Sequence, residues 1–275
     1  MTGKSVFEIS KLSLLTIAVV IAFSCSERIT ADLQSYSRTL IHSHNDYVHS
    51  RPFEEAFQAG VASIEADVWL VDGVLYVAHD QEDITKERTL LTLYLEPIRT
   101  AIQHNQGKAY PDGRPFQLLV DLKNDGLQSL KALTKLIEDQ GLSSCFDLTN
   151  HPEAARLTIT GDAVPADLWN SFPPYVFFDG RPGRVLTEEQ QDRVPLVSQN
   201  KKTFTRWNGF GRMSEEDKEK IRSAVKAAHD QGTLFRLWGF PDTPRAWDLS
   251  VSLGIDYINT DHPAQAAEWL TSRQK

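Results

Sequence analysis

Cysteine is nearly missing. Two among 275 residues exclude a disulfide framework and a Cys-rich zinc site, so any metal would be held by histidine and carboxylate. Glycine-rich phosphate loops are missing too: no such fingerprint opens a helix, which argues against a dinucleotide-binding open sheet. The chain lacks an excess of positive charge, and a net charge of −8 argues against nucleic acid as the main partner. It also lacks low-complexity linkers and repeats of solenoid period. The apolar run Leu12–Phe23 is twelve residues long, short of the ~20 that span a bilayer. What remains is an ordinary globular composition, 41 % apolar and 24 % charged. That composition excludes wholesale disorder, and a chain of this length buries about three quarters of its unfolded surface, so it needs no disulfide staples.

Lys4 and Lys11 precede or open the N-terminal apolar run, and small Ser24 and Cys25 follow it. That is the layout of a secretory signal, and Cys25 resembles the lipid-attachment cysteine of bacterial lipoproteins. The expectation is a signal peptide or lipoprotein signal over 1–25, with attachment to a membrane through Cys25 where it is lipidated. The protein is then exported: periplasmic, an outer-membrane lipoprotein, or secreted. A single domain would occupy 26–275, with Cys145 a small core residue.

From residue 39 onward strand and helix patterns alternate. Strands are predicted at 39–42, 61–70, 74–78, 116–122, 155–160, 175–178, 233–240 and 255–260 from β-rich apolar runs bounded by turn residues. Helices are predicted at 52–60, 90–104 with a break at Pro97, 127–141, 214–231 from a Ser214 capping signature, 243–253 and 263–273. Seven or eight strand-then-helix units fit an α/β fold of the TIM (β/α)8 barrel type, in which polar residues at strand C-terminal ends converge on one mouth.

Several such residues stand at predicted strand ends. His42, His44, Asn45 and Asp46 follow the first strand. Glu65 and Asp67 lie two apart in the second and so face the same side. His79 and Asp80 close the next extended piece, and Asp121 and Lys123 end the fourth. Singly these read as surface or capping groups. Together, three carboxylates from adjacent strands suit one hard divalent cation, Mg2+ or Ca2+. Two nearby histidines suit general base and acid, and Lys123 adds positive charge beside a developing anion.

Read in order, His-Asn, SIEADVWL, Asp-Gly, VAHD, LVDLK and INTDHP, the chain resembles the glycerophosphodiester phosphodiesterase superfamily. That group includes phosphatidylinositol-specific phospholipase C-like barrels and sphingomyelinase D. The branch carrying His44-Asn45-Asp46-Tyr47 is the most similar. The resemblance implies a cation on Glu65, Asp67 and Asp121, and a catalytic pair of His44 and His79, with His42 the alternative to His44. It implies substrate contacts from His42, Asn45, Lys123, Arg236 and Trp238. The substrate would be a small-molecule or lipid phosphodiester, hydrolysed or cyclised. Oligomeric state is not readable. Asp121 stands where Glu is commoner, as in the sphingomyelinase D type.

Two competing readings differ in class. His42-Ser43-His44 matches the His-x-His of metal-dependent amidohydrolases and related phosphoesterases, with both histidines as ligands. A non-catalytic surface lipoprotein that binds lipid head groups is the other. The loop aromatics Trp169, Phe172, Tyr175, Trp207 and Phe210 read either as packing around a barrel or as a lipid-facing rim, and Arg181 as a phosphate contact.

Overall fold

The computed structural model describes residues 38–274; the segment 1–25 predicted as a signal, with Cys25, lies outside them. Nine strands occur among the described residues: β1 (Leu40–Ser43), β2 (Ser63–Val71), β3 (Val74–Val77), β4 (Phe116–Leu122), β5 (Ala155–Gly161), β6 (Val176–Gly180), β7 (Leu196–Asn200), β8 (Leu234–Trp238) and β9 (Tyr257–Thr260). All but β3 pair parallel in the order β1-β2-β4-β5-β6-β7-β8-β9, and β9 returns to β1. The result is a closed eight-stranded barrel with no free edge, as expected for the TIM fold.

β3 is not a barrel strand. It folds back antiparallel on the last four residues of β2, Val68–Val71, across the Asp72-Gly73 turn. Both turn residues have positive φ, 49° and 80°, the geometry of a tight hairpin turn. β2 therefore outruns the barrel and carries a return arm past the rim. The sixth strand round the barrel, β7, is one that the sequence reading missed. Of its Leu-Val-Ser-Gln-Asn only Leu196 and Val197 are apolar, and Ser198 is buried against Arg236 inside the barrel.

Helices cover the outside: α1 (Glu54–Gln58), α2 (Glu96–His104), α3 (Gly126–Asp139), α4 (Glu188–Gln191), α5 (Glu215–His229), α6 (Pro244–Ser252) and α7 (Pro263–Arg273). The break predicted at Pro97 does not occur: a π turn over Leu91–Leu95, with the Glu96 amide donating to Leu91 O, runs straight into α2 and accommodates Pro97 in its first turn. Ser214 caps α5 by accepting from the Asp217 amide, and Thr243 caps α6 by accepting from Ala246. No described helix is long and apolar enough to cross a membrane.

Alternation along the strands builds two different interiors. Ile64, Ala66 and Val68 of β2 and Leu118, Val120 and Leu122 of β4 face the helices and belong to one continuous apolar layer. Cys145 is buried and unpaired in that layer, as expected. Inside the barrel the floor is polar. Thr158 Oγ1 donates to Gln117 Oε1 at 2.8 Å, Gln117 Nε2 donates to Ser63 Oγ at 3.0 Å, and Ser63 Oγ lies 2.8 Å from His42 Nδ1. Burying these groups is tolerable only because each finds a partner.

Candidate active site

Register sets the site. Asp67 on β2 stands directly opposite Asp121 on β4, and Glu65 lies two residues below Asp67 on the same side. The three carboxylates offer oxygens within 4.8 Å of one another. Burial, together with the neighbouring Glu65 and Asp67 charges, pushes the Asp121 carboxyl up to about 6 despite Lys123 beside it. Such mutual repulsion among buried oxygens suits a divalent cation, whose preferred donors these are. Gly161 on β5 makes room: a Cβ there would lie 2.0 Å from Asp121 Oδ1. Lys123 bridges the upper pair, with Nζ 2.8 Å from Asp67 and 2.6 Å from Asp121, and both anions raise its pKa against the opposing effect of burial.

Glu65 is gripped from below. Its Oε2 lies 2.7 Å from His42 Nε2 and is bonded by Arg236 Nη1 from β8. Burial opposes its charge, but Arg236 and His42 hold its carboxyl well below the usual range. His42 itself is fully buried, and both ring nitrogens are occupied, by Ser63 on one side and by Glu65 and Arg236 on the other. Burial and the Arg236 charge lower it to about 4, so it is neutral at pH 7.

His44 is placed quite differently. β1 ends at Ser43, and the His44 amide donates to Thr260 O at 2.9 Å. From there the side chain lines a cavity of about 280 Å3 at the mouth, shared with the three carboxylates, His79, Lys123, Arg236 and Trp238. Its Nδ1 lies 2.7 Å from Asp261 Oδ1. His44 lowers the Asp261 pKa, so the carboxylate is ionised, Nδ1 carries the proton, and Nε2 is left to act. Burial works against a charge on His44, but Asp261 and Glu65 outweigh it and raise its pKa.

His79 follows β3 and so sits on the return arm. Its Nδ1 is 3.3 Å from Asp67 Oδ2 and 3.2 Å from the Tyr47 hydroxyl. Tyr47 donates to Asp67 Oδ2 at 2.8 Å and reaches Asn45 Oδ1 at 2.9 Å. Burial and Asp67 push its phenol up, so it stays a donor. Asp46 anchors this loop from beneath, accepting from the Phe53 amide at 2.6 Å and from Tyr94 at 3.0 Å.

Of the residues singled out in the sequence, His44, Glu65, Asp67, His79, Asp121, Lys123, Arg236 and Trp238 line one cavity. Asn45 touches Asp261 from the rim, and His42 lies beneath the floor rather than facing it. His42 and His44 do not converge on one point, and the candidate metal group among the described residues holds carboxylates only; the amidohydrolase arrangement is not formed. Arg181 reaches the cavity wall, paired to buried Asp179 at 3.0 Å. The loop aromatics Trp169, Phe172, Tyr175 and Trp207 are buried packing, whereas Phe210 is 82 % exposed. Asp261, Tyr47 and Asp179 were missed as site groups; a carboxylate next to a strand end was the only signal for the first and third.

A closed parallel barrel with an acidic mouth and two carboxylate-backed histidines has the fold of the glycerophosphodiester phosphodiesterases. A glycerophosphodiester phosphodiesterase from Parabacteroides distasonis superposes with a TM-score of 0.59 at 16 % identity, covering 86 % of this chain and 99 % of that one. A Ca2+-dependent phosphatidylinositol-specific phospholipase C from Streptomyces antibioticus gives 0.51 at 11 % identity, covering 86 % and 96 %. Residues 28–179 match the AIM6-like phosphodiesterase domain, and the chain belongs to that family. "Altered inheritance of mitochondria protein 6" of Saccharomyces cerevisiae is 42 % identical, over 84 % of this chain and 70 % of that protein. The homolog from Arthroderma benhamiae is 28 % identical, over 80 % of each. The superfamily resemblance of the motifs therefore holds. The expectation of an exported periplasmic, outer-membrane or secreted protein does not: the relatives are fungal proteins named for the inheritance of mitochondria.

Proposed function

We propose that residues 26–275 form a single phosphodiesterase domain that needs one divalent cation, Mg2+ or Ca2+. The observation that carries the reading is the convergence of three carboxylate oxygens within 4.8 Å in a cavity also lined by His44 and His79. Glu65, Asp67 and Asp121 would hold the ion, which would neutralise non-bridging phosphate oxygens and polarise the phosphorus.

The remaining work falls to side chains. His44 Nε2, free because Asp261 fixes the other nitrogen, exchanges a proton with one reacting oxygen. His79, oriented by Asp67 and Tyr47, exchanges one with the other. Lys123 and Arg236 bring positive charge toward the phosphate, and Trp238 borders the bound alcohol. The attacker is water, giving hydrolysis, or a neighbouring substrate hydroxyl, giving a cyclic phosphate. The substrate is a small-molecule or lipid phosphodiester.

The test uses bis-p-nitrophenyl phosphate and glycerophosphodiesters, with Mg2+ or Ca2+ and with chelator, on wild type and on His44→Ala and His79→Ala. Loss of at least a hundredfold in each variant, and cation dependence in wild type, is expected. Turnover near wild type in both variants would sink the pairing. Complete inertness of the wild type toward every diester would favour the non-catalytic lipid-binding reading instead. Phosphorus NMR of the products separates hydrolysis from cyclisation.

A further inference from the structure

The five large hydrophobic residues exposed among those described are Val48, Val74, Val185, Phe210 and Trp238. All belong to segments that leave the C-terminal ends of strands: Val48 after β1, Val74 at the tip of the β2–β3 arm, Val185 after β6, Phe210 after β7 and Trp238 closing β8. None lies on the outer helices or at the opposite end of the barrel. Scattered apolar exposure is ordinary, but confinement to one rim is not.

Charge singles out one side of that rim. Residues 181–187, after β6, carry Arg181 and Arg184; residues 201–213, after β7, carry Lys201, Lys202, Arg206 and Arg212. These two loops hold six cations and no carboxylate, in a chain of net charge −8. The loops are neighbours, because β6, β7 and β8 are successive in the sheet. Carboxylates return at Glu188 and Glu189 in the first turn of α4 and at Glu215, Glu216 and Asp217 in the first turn of α5, where Glu215 and Glu216 are paired with Lys218 and Lys220.

Each loop also has an apolar tip on a fixed base. Val185 is 95 % and Phe210 82 % exposed. In the second loop, Trp207 is buried against Phe240, with ring centroids 5.4 Å apart, and Lys201 Nζ bonds Trp207 O at 2.6 Å. Arg245 of α6 bonds the carbonyl of Gly211. Phe210 is thus held outward between anchored neighbours.

We propose that the β6–β8 side of the mouth docks on an anionic phospholipid bilayer. Val185, Phe210 and Trp238 enter the headgroup region, while Lys202, Arg184, Arg206 and Arg212 meet lipid phosphates. Basic loops alone would suit any polyanion; the apolar tips select a surface with an apolar interior. The inference is independent of turnover, since binding is read without substrate chemistry. Its consequence is orientation: the cavity opens toward the lipid surface, and Trp238 belongs to both.

The test is flotation of the full chain with vesicles of phosphatidylcholine alone and of phosphatidylcholine with 30 mol % phosphatidylserine, at 150 mM salt. Each cation near an anionic surface contributes about fivefold in partitioning. The triple variant Lys202→Gln, Arg206→Gln, Arg212→Gln should therefore bind roughly a hundredfold more weakly than wild type. Phe210→Ser should weaken binding about tenfold. Brominated acyl chains should quench tryptophan emission in the anionic vesicles only, and more strongly in Phe210→Trp than in wild type, where Trp238 is the tryptophan exposed at the surface. Thermal melts identical to wild type establish that the variants fold. Equal binding to neutral and anionic vesicles, binding unchanged in the triple variant and in Phe210→Ser, or tighter binding to single-stranded nucleic acid than to the vesicles would each overturn the proposal.

Discussion

Asp121→Asn should make the metal-free protein more stable while removing its response to metal. Asp121 ionises at about 6 in the folded chain against an ordinary value of 3.8, because burial and the Glu65 and Asp67 charges disfavour its anion. A raised carboxyl pKa destabilises the fold above that pKa, and the penalty fades as pH falls through about 6 toward 4. Two pKa units correspond to about 3 kcal/mol. Lys123 loses one of two carboxylate partners in the variant and keeps Asp67, which offsets part of the gain. The net expectation at pH 8 in chelator is a gain of ~1–2 kcal/mol, or about 3–6 °C in Tm for a domain of this size. At pH 4 the two proteins should converge. Saturating cation stabilises wild type by about 2.7 kcal/mol at a hundred times Kd, and the variant, with two ligands left, should gain little. The order of stability should therefore invert on adding cation. Urea unfolding at pH 4, 6 and 8, with chelator and with Mg2+ or Ca2+, measures all of it. A variant less stable than wild type at pH 8 in chelator, or one that gains as much from cation as wild type, would refute the reasoning.

Asp261→Asn should lower the His44 pKa, since the carboxylate is what raises it against burial; the His44 limb of the pH–rate profile moves to lower pH, and kcat falls about tenfold for one partly exposed charge-assisted hydrogen bond. A limb that stays put would separate His44 from the chemistry. Gly161→Ala puts a Cβ 2.0 Å from Asp121 Oδ1 at a φ of +86°; unfolding should be easier by ~2–4 kcal/mol, and a calcium titration should show weakened binding. Arg236→Met leaves Glu65 buried beside neutral His42 without its strongest counter-charge; a loss of ~3–5 kcal/mol in chelator is expected, partly restored by cation, and a loss below 1 kcal/mol would mean that Arg236 is not what sustains the Glu65 charge.

Residues whose role follows from period were legible in the sequence. Glu65 and Asp67 share a strand, and their spacing alone puts them on one side; Asp121 and Lys123 follow the same rule on β4. Period could not separate His42 from His44, which have equal parity. That distinction depends on where β1 stops and on its register, which sets His42 level with Ser63 and Asn259 and releases His44 into the rim. Asp261 was out of reach for a related reason: its partner His44 lies 217 positions away, and only barrel closure brings them together. β7 was missed because a strand with buried Ser198 inside a polar barrel carries half the usual apolar signal. His79 was read correctly as closing the extended piece that the Asp72-Gly73 turn leads into, and the hairpin pairing of Val74–Val77 with Val68–Val71 bears that out.

The arm has a mechanical side. His44 is tied to the barrel wall through Thr260 and Asp261, so its place is set by the closed ladder. His79 is held at the foot of the arm, where Val77 pairs with Val68 and the Ala78 amide donates to Asp67 O, and Leu70 is tied to the Asn124 side chain beyond β4. The Asp72-Gly73 turn lies at the far end of the arm, so residues inserted there lengthen the rim and leave both histidines in place. The spacing of the two proton-carrying groups is therefore the fixed dimension of this scaffold, and the height of the wall beside the mouth is the one that can vary.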